Sequence, residues 1–288
     1  MSKDIELNNL TATEFLNEIN KKREELISQN IIKKTNSTTI SENEQPYKIP
    51  AEWLWVRLGD IGEIASSKRV HQAQWREEGI PFIRARDIVK LNSTEEYNPE
   101  LFIEEELYNK FKEKFGVPKI NDILITGVGT IGESYIVKDN DPFYFKDASI
   151  IWFKNHFSLE PKFIKYYLDF PKTKLMIQNM SGGTTVATYT ISGASSTPIP
   201  FPPLKEQQKI AEILSSVDAA IEKTEQVIAK TEEVKKELMQ QFPHKDNITT
   251  LLNISKKIEI DQVKCNKLKQ IKQGLMQQLL TGQVRVKV

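Results

Sequence analysis

The chain has 288 residues, with 40 Lys and Arg against 39 Asp and Glu, giving a net charge of +1. That balance excludes a globally basic surface, so any basic patch must come from local clustering. The single cysteine, Cys265, excludes an internal disulfide framework, and no apolar run is long enough for a membrane span. The polar start, MSKDIELNNL, does not read as a signal peptide, so a cytoplasmic setting is expected.

Residues 1–45 read as an amphipathic helix followed by a polar tether. In TATEFLNEINKKREELISQ, Thr11 and Glu14 form a potential capping box, and Phe15, Ile19, Leu26 and Ile27 line one face. From residue 46 to 204 the texture changes to short β-like runs, such as WVRL, IPFIRARDIV, DILIT and SIIWF, punctuated by Gly, Asn, Asp and Pro. With one helical segment around residues 161–180, this predicts an α+β domain carrying a twisted, mostly antiparallel sheet.

Several segments of this domain carry polar chemistry. The loop 66-SSKRVHQAQWR-76 supplies Lys68, Arg69, His71, Gln72, Gln74 and Arg76 with no acid among them. Cations of this kind suit phosphates, and forked or short polar side chains suit base edges. In 83-IRARDI-88, strand alternation would put Arg84 and Arg86 opposite Ile83, with Asp87 orienting one guanidinium by a bidentate pair. An ordinary salt bridge closing a strand end is the alternative.

Gly127, Gly129 and Gly132 have the spacing of a dinucleotide fingerprint, but the following ESYIV is β-prone and Pro142 leaves no room for the crossover helix. The glycines instead suit a tight loop between strands, in which Thr126 and Thr130 could meet a phosphate or base edge. A purely structural turn competes with that reading. A second polar loop, 181-SGGTTVATYT-190, offers Thr184, Thr185, Thr188 and Tyr189 for DNA contact. Trp53, Trp55 and Trp152 read as core, while Trp75 lies in the basic loop.

Residues 205–288 are nearly free of glycine and proline and predict two coiled-coil helices with a break near residues 242–247. Ile210, Leu214, Val217, Ile221, Ile228 and Leu238 lie on the first seam, together with a second heptad row of Ile213, Ala220, Val227 and Val234. Leu268, Leu275 and Leu279 lie on the second, with Cys265 as a small buried group. These seams are candidate subunit interfaces, although Asp261 and Lys272 interrupt the second. An antiparallel hairpin and pairing between two chains are both compatible with the pattern.

The strings 200-PFPPLKEQQKIAEILSSVDAAIEK-223 and 274-GLMQQLLTGQVRV-286 resemble helical regions of type I restriction-modification specificity subunits. The stretches 49-IPAEWLWVRLGDIGEI-64, 80-IPFIRARDI-88 and DILITGVGTIG resemble successive parts of that family's target recognition domain. The resemblance implies a non-catalytic subunit that reads double-stranded DNA. It would hold methyltransferase subunits, which carry the S-adenosylmethionine, and in some systems recruit a restriction subunit. Typical members have two recognition domains, whereas this sequence has room for one. It therefore resembles a half-length form that either pairs as a homodimer or acts as a single head. A smaller departure is 192-SGASSTP-198, which is commonly bulkier in the family.

No catalytic constellation accompanies these features. His71, His156 and His244 are scattered, no zinc-ligand spacing can be assembled, and no cofactor is expected. A coiled-coil scaffold or regulator without its own DNA readout is the competing function.

Overall fold

The computed structural model describes residues 7–34, 39–92, 97–182, 187–241 and 248–288. Helix α1 (Ala12–Ser28) begins with the expected capping box, in which Thr11 and Glu14 satisfy each other's free backbone donors. Strand β1 (Leu54–Arg57) runs into a single helical turn, α2 (Leu58–Ile61), and then β2 (Glu63–Ala65). After the basic loop come β3 (Trp75–Arg76), β4 (Ile80–Ile83), α3 (Ala85–Leu91), β5 (Phe102–Ile103) and α4 (Glu105–Phe115). Strands β6 (Ile123–Thr126), β7 (Ser134–Ile136), β8 (Tyr144–Phe145) and β9 (Ile150–Lys154) follow.

The segment expected to be one helix is two, α5 (Pro161–Asp169) and α6 (Pro171–Met180). The pyrrolidine of Pro171 pushes Phe170 out of the helical region, to φ −64° and ψ 131°, which ends one helix and opens the next. Helix α7 (Ile191–Ser196) and strand β10 (Pro198–Phe201) lead into the long helices α8 (Leu204–Gln241) and α9 (Ile248–Leu280).

The fold is α+β, and its strands form three small sheets rather than one. They are the ribbon β1–β10 and two four-stranded sheets ordered β2–β9–β6–β7 and β3–β5–β4–β8. Every pairing is antiparallel except β4 with β8. Strands β6 and β9 are apolar on both faces because both faces are covered. Ile123, Ile125, Ile151 and Phe153 face the main core, while Leu124, Ile150 and Trp152 face a second cluster beneath Ile83 and Ile88. A third cluster, Val70, Phe82, Ile103, Tyr108, Phe111 and Tyr144, supports the basic loop.

The main core includes residues far apart in sequence. Ala12, Phe15 and Ile19 of α1 share it with Ile199 and Phe201 of β10, Ile210 and Leu214 of α8, and Leu279 and Leu280 of α9. Phe15 stacks on Phe201 with ring centroids 5.3 Å apart. The small residues of 192-SGASSTP-198 also have a packing role. A Cβ on Gly59 would lie 2.9–3.0 Å from Ser195, so α2 and α7 meet almost backbone to backbone.

The long helices form an antiparallel hairpin within the chain. Asp218 pairs with Lys272 and Glu225 with Lys269, each at 2.7 Å, so position rises on one helix as it falls on the other. At 1.5 Å per residue, α8 is about 57 Å long, which makes the pair a stalk. Asp261 interrupts its seam at 6% exposure, with Lys257, four residues earlier, as its one ion-pair partner among the described residues. A buried carboxylate pays a desolvation cost that an exposed lysine repays poorly. Asp261→Leu is therefore expected to stabilise the chain by about 1–2 kcal/mol, read as a higher midpoint in chemical denaturation. A lower midpoint would show that the carboxylate is needed at the seam.

Candidate nucleic-acid interface

The basic loop is pinned to the sheet edge by its own polar atoms. Ser67 Oγ donates to the Phe145 carbonyl (2.6 Å), the Lys68 amide donates to the Tyr144 hydroxyl (2.8 Å), and Arg69 Nε donates to Asp147 (3.0 Å). These bonds fix the backbone while leaving the side chains outward: Lys68, His71 and Gln72 are exposed, and Arg69 keeps 65% of its side-chain surface. Gln74 instead turns back, its side-chain oxygen accepting from the His71 amide (2.9 Å). Arg76 is bound to Glu104 (2.7 Å), and Trp75 is half-buried against Phe82, so Trp75 anchors the loop.

Sequence reasoning missed the neighbours that extend this patch. Lys68 and Lys114 both lie over the exposed ring of Phe115, at 5.7 and 5.6 Å from its centroid. The available signal was KFKEKFG, whose Lys112 and Lys114 occupy the last turn of α4 before Gly116 (φ 78°) reverses the chain.

The glycine segment is the β6–β7 hairpin loop, followed by a strand and not by a helix. Gly129 and Gly132 have φ of 73° and 84°, which side-chain-bearing residues rarely adopt. Gly127 serves closeness: its amide donates to the Ser149 carbonyl (2.9 Å), and its carbonyl accepts from the Tyr189 amide (2.8 Å). The bonds through Asp147, Ser149, Gly127 and Tyr189 therefore stitch the basic loop, the β8–β9 turn, the glycine loop and the hydroxyl-rich loop into one ridge. A Cβ at Gly127 would sit 2.8 Å from the Tyr189 carbonyl oxygen. Gly127→Ala is expected to spread the two loops and lower DNA affinity about tenfold, a loss of one contact's worth of energy. Equal affinity in a titration of the folded variant would show that their spacing is immaterial.

Two residues expected on this surface are withdrawn from it. Thr126 is fully buried, its hydroxyl donating to the Thr130 carbonyl and accepting from the Glu133 amide (3.0 Å), which closes the turn. Tyr189 is 1% exposed, and its hydroxyl shares a 2.5 Å hydrogen bond with Thr197; burial pushes that hydroxyl above its usual pKa. Both therefore support loops and offer nothing to a groove. Thr130 is exposed and Thr188 half-exposed, whereas Thr184 and Thr185 lie outside the described residues.

The expected strand alternation through Arg84 and Arg86 is also corrected. Strand β4 ends at Ile83, Arg84 is the N-cap of α3, and Arg86 lies in the helix. The cause is Asp87, which accepts from the Arg84 amide (2.9 Å) and grips its guanidinium through Nε (2.9 Å) and Nη2 (3.3 Å). Asp87 itself is buried. Glu100 then receives Arg84 (3.0 Å), Arg86 (2.5 Å) and Lys90 (2.7 Å). Hydrogen bonds from Lys90 and Arg84 hold its carboxyl down to about 2.

Of the seam residues expected to bind other subunits, several pack within the chain. Ile210, Leu214 and Leu279 are in the main core, and Ile221 is buried. Val217, Ile228, Leu238, Leu268 and Leu275 are half-buried. Cys265 is buried, its Sγ 3.8 Å from Glu225. The apolar side chains that face solvent include Val227 and Val234, which the heptad rows place on the seam, as well as Ile260, Val263 and Ile271. Of the histidines, His71 lies in the basic loop, His156 pairs with Glu63 (2.9 Å), and His244 lies outside the described residues. Among the described residues no helix is long and apolar enough to cross a membrane.

A mixed head with a ridge of cationic, hydroxyl-bearing and glycine loops, rooted on a helical hairpin, defines the class of a nucleic-acid reading module on a stalk. The chain belongs to the type I restriction modification DNA specificity domain family, whose model matches residues 50–233. It is 32% identical over 165 residues to a Haemophilus influenzae protein provisionally named type I restriction enzyme specificity subunit S.HindORF215P, covering 57% of this chain and 40% of that one. It is 29% identical over 180 residues to the type I restriction enzyme MjaIX specificity subunit of Methanocaldococcus jannaschii, covering 61% and 40%. The chain thus matches about two fifths of the length of these relatives. Among solved structures, it is similar to the type I restriction-modification S subunit from M. genitalium, with TM-score 0.46, 19% identity, and coverage of 68% of this chain and 47% of that one.

Proposed function

We propose that this chain is a sequence-specific DNA-reading subunit of a type I restriction-modification assembly. It directs adenine methyltransferase subunits, which supply S-adenosylmethionine, and in a restricting complex a translocating nuclease subunit, to a target site. The observation that supports this most is the stitched ridge in a member of a DNA specificity family. Lys68 and Arg69 project from fixed backbone, and hydrogen bonds tie their loop through the β8–β9 turn to the loops that carry Thr130 and Thr188. The arrangement combines phosphate neutralisation with short polar side chains for base edges.

In this reading the chain contributes recognition and assembly, without chemistry of its own, in the cytoplasm. Partner helices meet the stalk along its solvent-facing apolar positions, Val227, Val234, Ile260 and Ile271, since the inner seam is occupied by the hairpin itself. Two copies joined in this way would present two heads to a symmetric bipartite site.

The test is to co-express the chain with methyltransferase subunits of such a system and map modified adenines across a genome. One recurring motif supports the reading. A symmetric bipartite motif assigns two heads per complex, and a short asymmetric one assigns a single head. Methylation without a motif would refute it and favour a scaffold without readout.

A further inference from the structure

Glu100 lies on the loop before β5 and closes over three cations from one small region. Its Oε2 meets Arg84 Nη2 at 3.0 Å and Arg86 Nη2 at 2.5 Å, while its Oε1 meets Lys90 Nζ at 2.7 Å. Asp87, buried on the other side of Arg84, fixes that guanidinium and cancels its charge. Arg86 and Lys90 then leave an excess of positive charge around a single partly exposed carboxylate. Two guanidinium nitrogens on one oxygen and an ammonium on the other form a three-cation cradle for an oxyanion, which suits a phosphate as well as a carboxylate.

The cluster adjoins the ridge for a topological reason. Strands β4 and β8 run parallel, pairing Phe82 with Tyr144 and Ile83 with Phe145, so both chains leave the sheet at the same end. The Lys146 amide donates to the Ile83 carbonyl (2.8 Å), which places Arg84 beside the turn where Asp147 receives Arg69.

We infer that Glu100 is an internal phosphate mimic, occupying a cradle of Arg84, Arg86 and Lys90 until a backbone phosphate of bound DNA displaces it. This rests on the reading of the head as a DNA-binding surface. The three cations around it favour the charged carboxylate, so a competing anion is the natural agent of its release. Duplex that does not bring a phosphate to the cradle must be held with Glu100 in place, and is held more weakly. Glu100 thereby limits binding to duplex in the wrong register.

The test uses the full chain with Glu100→Gln and Glu100→Ala, titrated with duplex DNA over a range of salt. Both variants are expected to bind about tenfold more tightly near physiological ionic strength. The dependence of log K on log[salt] should steepen by about 0.9, one more phosphate's worth of net counterion release. Adding Arg86→Ala to Glu100→Gln restores the original net charge and should erase most of the gain, while neutralising an exposed acid on α1, Glu18→Gln, should give no comparable gain; the second comparison separates the cradle from a general change of charge. Affinity equal to or below that of the unsubstituted chain, or a gain that survives Arg86→Ala, overturns the inference and leaves the reading of the head intact. If neither the unsubstituted chain nor the folded variants bind duplex DNA, the reading itself falls and the cradle with it.

Discussion

Replacing Lys68 and Arg69 together by glutamate is expected to weaken binding to duplex DNA on the order of 100-fold or more, since two phosphate contacts become two repulsions. The salt dependence should flatten by about 2 in slope, close to 0.9 for each phosphate no longer neutralised. The fold should survive. Both side chains project into solvent, and two of the three bonds that fix this stretch of loop, from the Ser67 hydroxyl and the Lys68 backbone amide, remain after the change. Exposed substitutions of this kind usually change stability by about 0.5 kcal/mol or less. Arg69→Glu does face Asp147, so a small part of any loss will come from the β8–β9 turn giving way. Arg69→Ala separates that contribution, because it removes the phosphate contact without a new repulsion. If methyltransferase subunits bind the stalk as proposed, their association should be unaffected. Unchanged DNA affinity with an unchanged salt slope would remove the basic loop from the interface.

The sequence was most informative where one local rule governs one element. The capping box of Thr11 and Glu14 set the start of α1, and heptad spacing set the long helices, because both patterns follow from backbone geometry alone. It was less informative where a side chain has two physically reasonable partners. A threonine beside a glycine turn can face a groove or close the turn, and Thr126 closes it. Tyr189, in a hydroxyl-rich loop, found Thr197 eight residues on and became core. In IRARDI the alternation pattern and the Arg84–Asp87 capping interaction compete for the same residues, and capping won because Asp87 can satisfy the Arg84 amide and guanidinium together. The ridge depends on long-range carbonyl and amide bonds, such as Gly127 to Tyr189, which carry no side-chain signature. Glu100 was illegible for a similar reason: its cations are 10–16 residues away, brought together by a helix that the strand reading did not contain.

The joint between head and stalk should be the most sensitive point for stability. Glu206, in the first turn of α8, is 1% exposed and accepts from Trp53 Nε1 (2.9 Å) and from Arg285 through Nε (2.6 Å) and Nη2 (2.9 Å). Three remote parts of the chain therefore meet at one carboxylate: the residue before β1, the start of the stalk, and the segment after α9. Gly282 packs there as well, with space so close to Pro50 that a Cβ would lie 2.3 Å from its ring. Glu206→Ala leaves a buried indole N–H without an acceptor and a guanidinium without its main partner. Breaking a buried pair costs about 3–5 kcal/mol, but Arg285 is 39% exposed and keeps Glu52 at 2.8 Å, so the lower end applies. The expected loss is about 3 kcal/mol, seen as a lower midpoint in chemical denaturation. Glu206→Gln keeps an oxygen for Trp53 and should recover part of it. Arg285→Ala should cost much less in the Glu206→Ala background than alone, since the two act as one unit. Additive losses would mean that the C-terminal segment and the stalk are held to the head independently, and that a partner pulling on the stalk could not loosen the head through this joint.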